Sequence, residues 1–375
     1  MDKTHQRRPA WVEIDLAQLS RNFQIINRDK PEKLKILSVV KDNAYGHGAI
    51  EVARVALSSG AVYLATATVD EALELRESGI SAPILIFGER TEAELADCIA
   101  NDLMPCVNHP AQAKVFSRYA KAANKTAPVH LEIDTGMSRY GVRWTKAMQA
   151  IAEIAASKNL ILEGVMSHFA MSDEVDKTFA LLQLQRFQHV LTELQDAGIN
   201  IKYRHLCNTG GFLDLPQAHF DMVRIGILPL GVYPSKACRR ILGIRPIMSV
   251  KTRIAAIQEL EPGDKVGYGM RYTAGQTHRI AVLPIGYGDG YPRVRNQGAV
   301  LIHGKRARIV GGNAMDAMMV DLSNIPEAKC WDEVVLMGKQ SDEEISVHEI
   351  AALKSSVSYD ILAGWRQRLP REYLR

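Results

Sequence analysis

Between residues 35 and 227 the chain alternates eight short apolar runs, rich in β-branched residues, with longer segments of helical periodicity. No other feature limits its possible folds as much. The runs are "KILSVVK" (35–41), "VYLATAT" (62–68), "PILIFG" (83–88), "MPCVN" (104–108), "VHLEID" (129–134), "LEGVMSHF" (162–169), "YRHLCN" (203–208) and "MVRIGI" (222–227). Segments such as "VDEALELRESG" and "TKAMQAIAEIAASKN" lie between them, with apolar positions three or four apart and Gly or Asn near the C-terminal end, as amphipathic helices have. Apolar strands separated by helices pair in parallel through right-handed crossovers. Eight such units predict an α/β fold, a (β/α)8 TIM-type barrel. An open doubly wound sheet that binds a dinucleotide would carry G-x-G-x-x-G after its first strand, and none is present.

Past residue 240 the pattern changes to alternating segments broken by turns, among them "SVKTRIAAIQEL", "HRIAVLPIGYG", "AVLIHGKRARIVG" and "DEVVLMG". These predict a mostly antiparallel β domain over 241–375, closed by helices at 347–356 and 360–369. The barrel takes 1–240, with the extreme N-terminus packing on the β domain. Trp365 and the terminal "REYLR" are read as packing a closing helix.

Charge excludes some partners. Forty-six basic residues against 42 acidic ones leave a net charge of +4, scattered without runs, so no nucleic-acid partner is expected. Five cysteines, odd in number and with no C-x-x-C pair, predict neither a metal site nor a disulfide framework and suit a reduced, cytoplasmic setting. "MDKTHQRRPA" has no apolar run behind it, so a secretory signal is not expected. No stretch approaches the roughly 18 apolar residues of a membrane span.

In a barrel, reactive groups stand at the C-terminal ends of the strands. Lys41 ends the first run, and a partly desolvated lysine there can serve as nucleophile or base. Arg139 follows the fifth run, His168 ends the sixth, "HLCNTGG" closes the seventh and Arg224 lies in the eighth. Backbone N–H groups near Thr209, Gly210 and Gly226, with the Thr209 hydroxyl, could cradle a phosphate after strands seven and eight. Lysine plus phosphate cradle admits a Schiff-base aldolase or a pyridoxal-phosphate enzyme.

The chain resembles the alanine racemase family of fold-type III pyridoxal-phosphate enzymes. The motifs are "VVKDNAYGHG", "DTGMSRYG", "SHFAMSD", "HLCNTGG", "HFDMVRIGI", "VGYGMRYTA", "VLPIGYGDGYPR", "NAMDAMMVDL" and "SYDILAGWRQRLPREYL", in the family's order from about Trp11 to Arg375. The resemblance implies that Lys41 binds the aldehyde of pyridoxal 5'-phosphate as an imine. Tyr45, Asn208, Thr209 (more often Ser in the family), Gly226, Ile227 and Tyr359 would hold the cofactor, chiefly at its phosphate. Arg224 would face the pyridine nitrogen, Arg139 the phenolic oxygen, and His168 would pack near the ring. Tyr268 of "VGYG" would be the second base, reaching in from a partner subunit, with Met315 and Asp316 near the substrate carboxylate. A homodimer with shared active sites follows from that arrangement.

Chemistry supports these roles. Racemisation removes a Cα proton from one face and returns it on the other, so two bases on opposite faces are needed, here Lys41 and Tyr268. Arg293 and His168 are candidates for the cationic field around Tyr268. Arginine can donate to a pyridine nitrogen but hardly protonate it, which favours simple reprotonation over other fates of the carbanion. His205 either orients Arg224 or is a core histidine. Glu132 stands where many relatives have a carbamylated lysine, so a direct Glu132–Arg139 pair is expected. Tyr287 either lines the substrate entrance or packs on the domain, Asp289 builds a turn, and Asp134 supports the strand-five loop. Asp42 stands where the family usually has Ala, and the sequence offers no reason for it. Racemisation of alanine competes with racemisation of serine or a wider set, and with pyridoxal-phosphate binding without turnover. Tyr268 and the full β domain argue against the last.

Overall fold

The structure, a computed structural model, describes residues 8–375. It divides into two compact units: Leu19–Ala44 with Ala49–Arg245, and the described residues up to Gln18 with Tyr45–Gly48 and Pro246–Arg375.

In the first unit the eight apolar runs become eight parallel staves: Lys35–Val39, Ala61–Thr66, Ile84–Ile86, Met104–Val107, Ala127–Asp134, Leu160–Met166, Tyr203–His205 and Met222–Ile225. The sheet runs from the eighth stave through the first to the seventh. At the seam between the seventh and eighth, Asp221 N donates to Arg204 O at 3.1 Å and Arg224 N to Cys207 O at 2.9 Å. The Asp221 carboxylate clamps the same seam by accepting from Arg204 Nε at 2.7 Å and Nη2 at 2.9 Å. A sheet joined to itself in this way is a barrel.

Local signals set the helix starts. Thr68 and Thr91 each cap a helix, Val69–Glu77 and Glu92–Ala100, and Glu71 and Glu94 return a bond to the cap backbone, completing two capping boxes. The first stave ends differently. Asp42, Asn43, Ala44 and Tyr45 all have φ between 51° and 53°, a turn of left-handed helix directly after Lys41. Asp and Asn accept this conformation more readily than other residues with a Cβ, which supplies the reason for Asp42 that the sequence lacked.

The second unit holds a ten-stranded sheet, antiparallel at every pairing but one. The exception changes the sequence reading of the C-terminus. Ala10–Asp15 pairs antiparallel with Met248–Arg253 on one side and parallel with Arg371–Leu374 on the other. "REYLR" is therefore an edge strand rather than helix packing. The two short helices are Val347–Leu353 and Ser358–Gly364, the second earlier and shorter than expected. Pro370, which has no N–H to donate, separates the last helix from the strand. Trp365 is buried against Tyr291.

Candidate active site

Arg224 is the most constrained charged group of the barrel unit. It is 3% exposed. Its Nη1 donates to His205 Nδ1 at 3.1 Å and to His205 O at 3.0 Å. Its Nη2 donates to Ser167 O at 2.7 Å, Leu206 O at 3.1 Å and His168 Nδ1 at 3.1 Å. Among the described residues Nε–H has no acceptor. Burial pulls the guanidinium down to about 10, against the field of Glu132. It thus keeps its proton at neutral pH.

Because arginine only donates, both histidine Nδ1 atoms it meets are acceptors. Burial holds His168 and His205 well below the usual imidazole range, with Arg224 adding to the effect at both, so the rings are neutral and carry their protons on Nε2. The expected link between His205 and Arg224 is present.

The other barrel residues named from the motifs sit at or just past strand ends. Lys41 is partly buried at the end of the first stave. Asn208 caps the short helix Thr209–Asp214, its Oδ1 accepting from Gly211 N at 3.0 Å, and Thr209 is 4% exposed. Gly226 and Ile227 are buried directly after the eighth stave. Gly210 is a packing requirement, since a Cβ there would stand 2.8 Å from Ser172 Oγ.

Arg139 is exposed on a loop that Asp134 builds by accepting from Gly136 N at 2.9 Å and Ser138 N at 3.0 Å. Glu132 does not pair with it. Glu132 is 5% exposed, with the Cys106 thiol 3.9 Å away, and acts on Arg139 only through its field. Burial raises the Glu132 carboxyl, while Arg224 and then Arg139 pull it down. The reason is positional: Ser138 at φ 56° and Gly141 at φ 96° bend the loop, and Gly141 packs on the Glu132 backbone so closely that a Cβ would lie 2.7 Å from Glu132 O.

In the β unit, Tyr45 and Tyr359 pack edge to face with centroids 5.9 Å apart. Tyr268 lies between Gly267 and Gly269, at φ 73° and 75°, in a turn that leaves it 74% exposed. Gly267 is required there because a Cβ would meet Gly312 O at 2.9 Å. Met315 is 52% exposed, and Asp316 accepts from Arg368 Nη2 at 2.6 Å. Arg293 stacks over Tyr287 at 5.8 Å and makes no hydrogen bond or ring contact with Tyr268 among the described residues. Asp289 does more than build a turn. Fully buried, it accepts from Arg8 at 2.8 Å, approaches Arg368 Nε at 3.0 Å and takes the Gly286 N–H at 2.9 Å.

Comparison with known proteins covers both units. Residues 14–234 match the model of the alanine racemase N-terminal domain and residues 247–373 that of the alanine racemase C-terminal domain. The alanine racemases of Halothermothrix orenii and Carboxydothermus hydrogenoformans are each 40% identical over 98% of this chain, covering 97% and 100% of their own lengths. Among solved structures, alanine racemase of Clostridium difficile superposes with a TM-score of 0.95 at 35% identity, over 98% of this chain and 96% of that one. The Bacillus anthracis enzyme with bound L-Ala-P gives 0.93 at 34%, over 99% and 96%. Matched along both units by sequence and by fold, the chain belongs to the alanine racemase family.

Proposed function

We propose that the chain interconverts L- and D-alanine with pyridoxal 5'-phosphate, in the cytoplasm, as a homodimer whose sites are shared, and so supplies D-alanine for peptidoglycan. The observation that carries this reading is Arg224: buried, protonated, fixed through both Nη atoms, and with no hydrogen bond from Nε–H among the described residues. That spare donor suits a pyridine nitrogen, so the residues present fit the cofactor. Thr209 and the amides after the eighth stave would receive its phosphate, with Tyr45 and Tyr359. When bound, the cofactor supplies an electron sink that acidifies the substrate Cα–H.

The remaining work belongs to side chains. Lys41 Nζ holds or returns the Cα proton on one face. Tyr268 of the partner subunit does so on the other, its exposure in the free protomer being what a base offered to another subunit requires. Arg224 donates without surrendering its proton, which keeps the ring nitrogen unprotonated and limits the sink to what reprotonation needs. Arg139, Met315 and Asp316 orient the substrate. His168 presents Nε2–H, since its Nδ1 is taken by Arg224.

Mixing two inactive variants tests the shared site. Lys41→Ala and Tyr268→Phe are each expected to be inactive, and refolding them together regenerates one intact site per heterodimer, or about a quarter of wild-type activity for random pairing. No recovery would place both bases in one protomer. Racemisation across Ala, Ser, Lys and Arg sets the substrate range. Cofactor binding without exchange of the alanine Cα hydrogen in deuterated water would favour a non-catalytic binder.

A further inference from the structure

The interior of a (β/α)8 barrel is ordinarily filled by branched aliphatic side chains. Here part of it is polar. Tyr63 of the second stave packs 5.9 Å from His130 of the fifth and 5.4 Å from Tyr203 of the seventh, and His130 packs 4.9 Å from His205. The second and fifth staves are not neighbours in the sheet, so these rings meet across the barrel's inside. Room is made for them: a Cβ on Gly164 would fall 2.6 Å from the His130 ring.

Donor and acceptor roles along this column follow from one end. Arg224 donates to His205 Nδ1, so neutral His205 carries its proton on Nε2. That proton points at His130 Nδ1, 2.8 Å away. His130 Nδ1 is then an acceptor, and the proton of His130, a ring whose titration burial shifts downward, sits on Nε2. His130 Nε2 is buried with no hydrogen-bond partner, but lies 3.9 Å from Glu163 Oε2, an electrostatic approach longer than a hydrogen bond. Glu163 is fixed by the Tyr63 hydroxyl and by Lys202 Nζ at 2.7 Å, on the wall of a cavity of ≈ 380 Å³ that Tyr63, Met104, Pro128, Lys202 and Tyr203 also line. The facing His130, then Lys202 and Tyr63, hold its carboxyl at about 2 despite burial.

We infer that His130 and Glu163 are positioning residues for Arg224: a one-way chain of donors runs from Arg224 to His205 to His130, and the Glu163 carboxylate, facing the His130 Nε2–H electrostatically, anchors its far end, which locks both imidazole tautomers and thereby the guanidinium. The functional half of this inference rests on the reading of Arg224 as the partner of the cofactor's ring nitrogen. The chain is directional. Moving the His130 proton to Nδ1 would set it against the His205 Nε2–H, and moving that one in turn would set it against the arginine. Glu163 is therefore the group that opposes reversal from the far end.

The test is ¹⁵N NMR of histidine-labelled protein, which reports which ring nitrogen carries the proton and is read without cofactor, together with kinetics of the loaded enzyme. In wild type, His130 and His205 are expected as Nε2–H tautomers across pH 6–8. Glu163→Leu is expected to give a mixture of tautomers at His130 and His205, and on the order of a tenfold fall in kcat with KM little changed. Lys202→Ala, which removes another contact of Glu163 but not its charge, should leave both tautomers in place. If Glu163→Leu fails to fold, Glu163→Gln and His130→Gln serve, and with the double variant they form a cycle in which a shared chain gives non-additive losses in kcat. Unchanged tautomers in the Glu163 variants, or strictly additive losses, would overturn the inference. Absence of alanine racemisation in wild type would overturn the functional reading and leave the NMR result standing.

Discussion

The Arg224 centre of the barrel unit and the Tyr268 turn of the β unit are opposite solutions to placing a functional group. Arg224 is 3% exposed and held through both Nη atoms; Tyr268 is 74% exposed between two left-handed glycines. A group that must keep one protonation state and one orientation is surrounded. A group proposed to act in another subunit's site is displayed, and only its backbone is fixed, by the close approach of Gly267 to Gly312. The contrast separates stability from activity: changes at the first site should cost both, changes at the second only activity.

The sharpest challenge to this contrast is Tyr268→Phe. It should lower kcat by about 10²–10⁴-fold, unequally for the L→D and D→L directions, with the thermal midpoint unmoved. A shifted midpoint would mean that Tyr268 is structural. Arg224→Met should destabilise by roughly 3–5 kcal/mol in denaturant titration, because the Ser167, His205 and Leu206 carbonyls lose their donor inside the barrel. Gly164→Ala should cost about 1–3 kcal/mol by pressing on His130, with no comparable effect from alanine at Gly275, around which a Cβ would find open space.

Acidity sharpens the comparison further. His130, His168 and His205 all have folded-state values depressed by burial, so the unfolded chain takes up protons first as pH falls. Their contribution is present above ~6.5 and lost as pH drops below it, by up to about 1.4 kcal/mol per pH unit for each proton taken up. Denaturant midpoints between pH 7 and 5 should show this slope, and His168→Asn should reduce it. The smallest expected effect is at Asp42, where Ala should cost about 1 kcal/mol and Gly less, since only the left-handed backbone preference changes.

Much of this could be read from the sequence because it rests on local pattern. The eight runs became eight staves since a strand buried on both faces has few other ways to be written, and Lys41, His168 and Arg224 could be placed because strand ends are visible in such runs. What escaped depends on closure. His130 occupies an ordinary position in an apolar run, and its relation to Tyr63, Glu163 and His205 exists only once the second, fifth, sixth and seventh staves share an interior. The Glu132–Arg139 pair was expected from family precedent, but left-handed Ser138 just before the arginine and Gly141 just after it bend the loop that carries it away. The edge strand at Arg371–Leu374 was hidden by its pairing partner, Ala10–Asp15, more than 350 positions earlier. A carboxylate at 42, for which the sequence offered no reason, is a matter of dihedral angle.

The seam of the barrel has one more consequence. Between the seventh and eighth staves the join is short, two backbone bonds and the Arg204–Asp221 clamp, whereas the fifth and sixth share a ladder of six residue pairs. In native-state hydrogen exchange, where amides report the cheapest opening that exposes them, Asp221 and Arg224 are thus placed to exchange ahead of the fifth stave. The arginine is rooted on a short stave boundary, and its grip on the carbonyls of Ser167, His205 and Leu206 from across that line is a rivet as much as an electronic device.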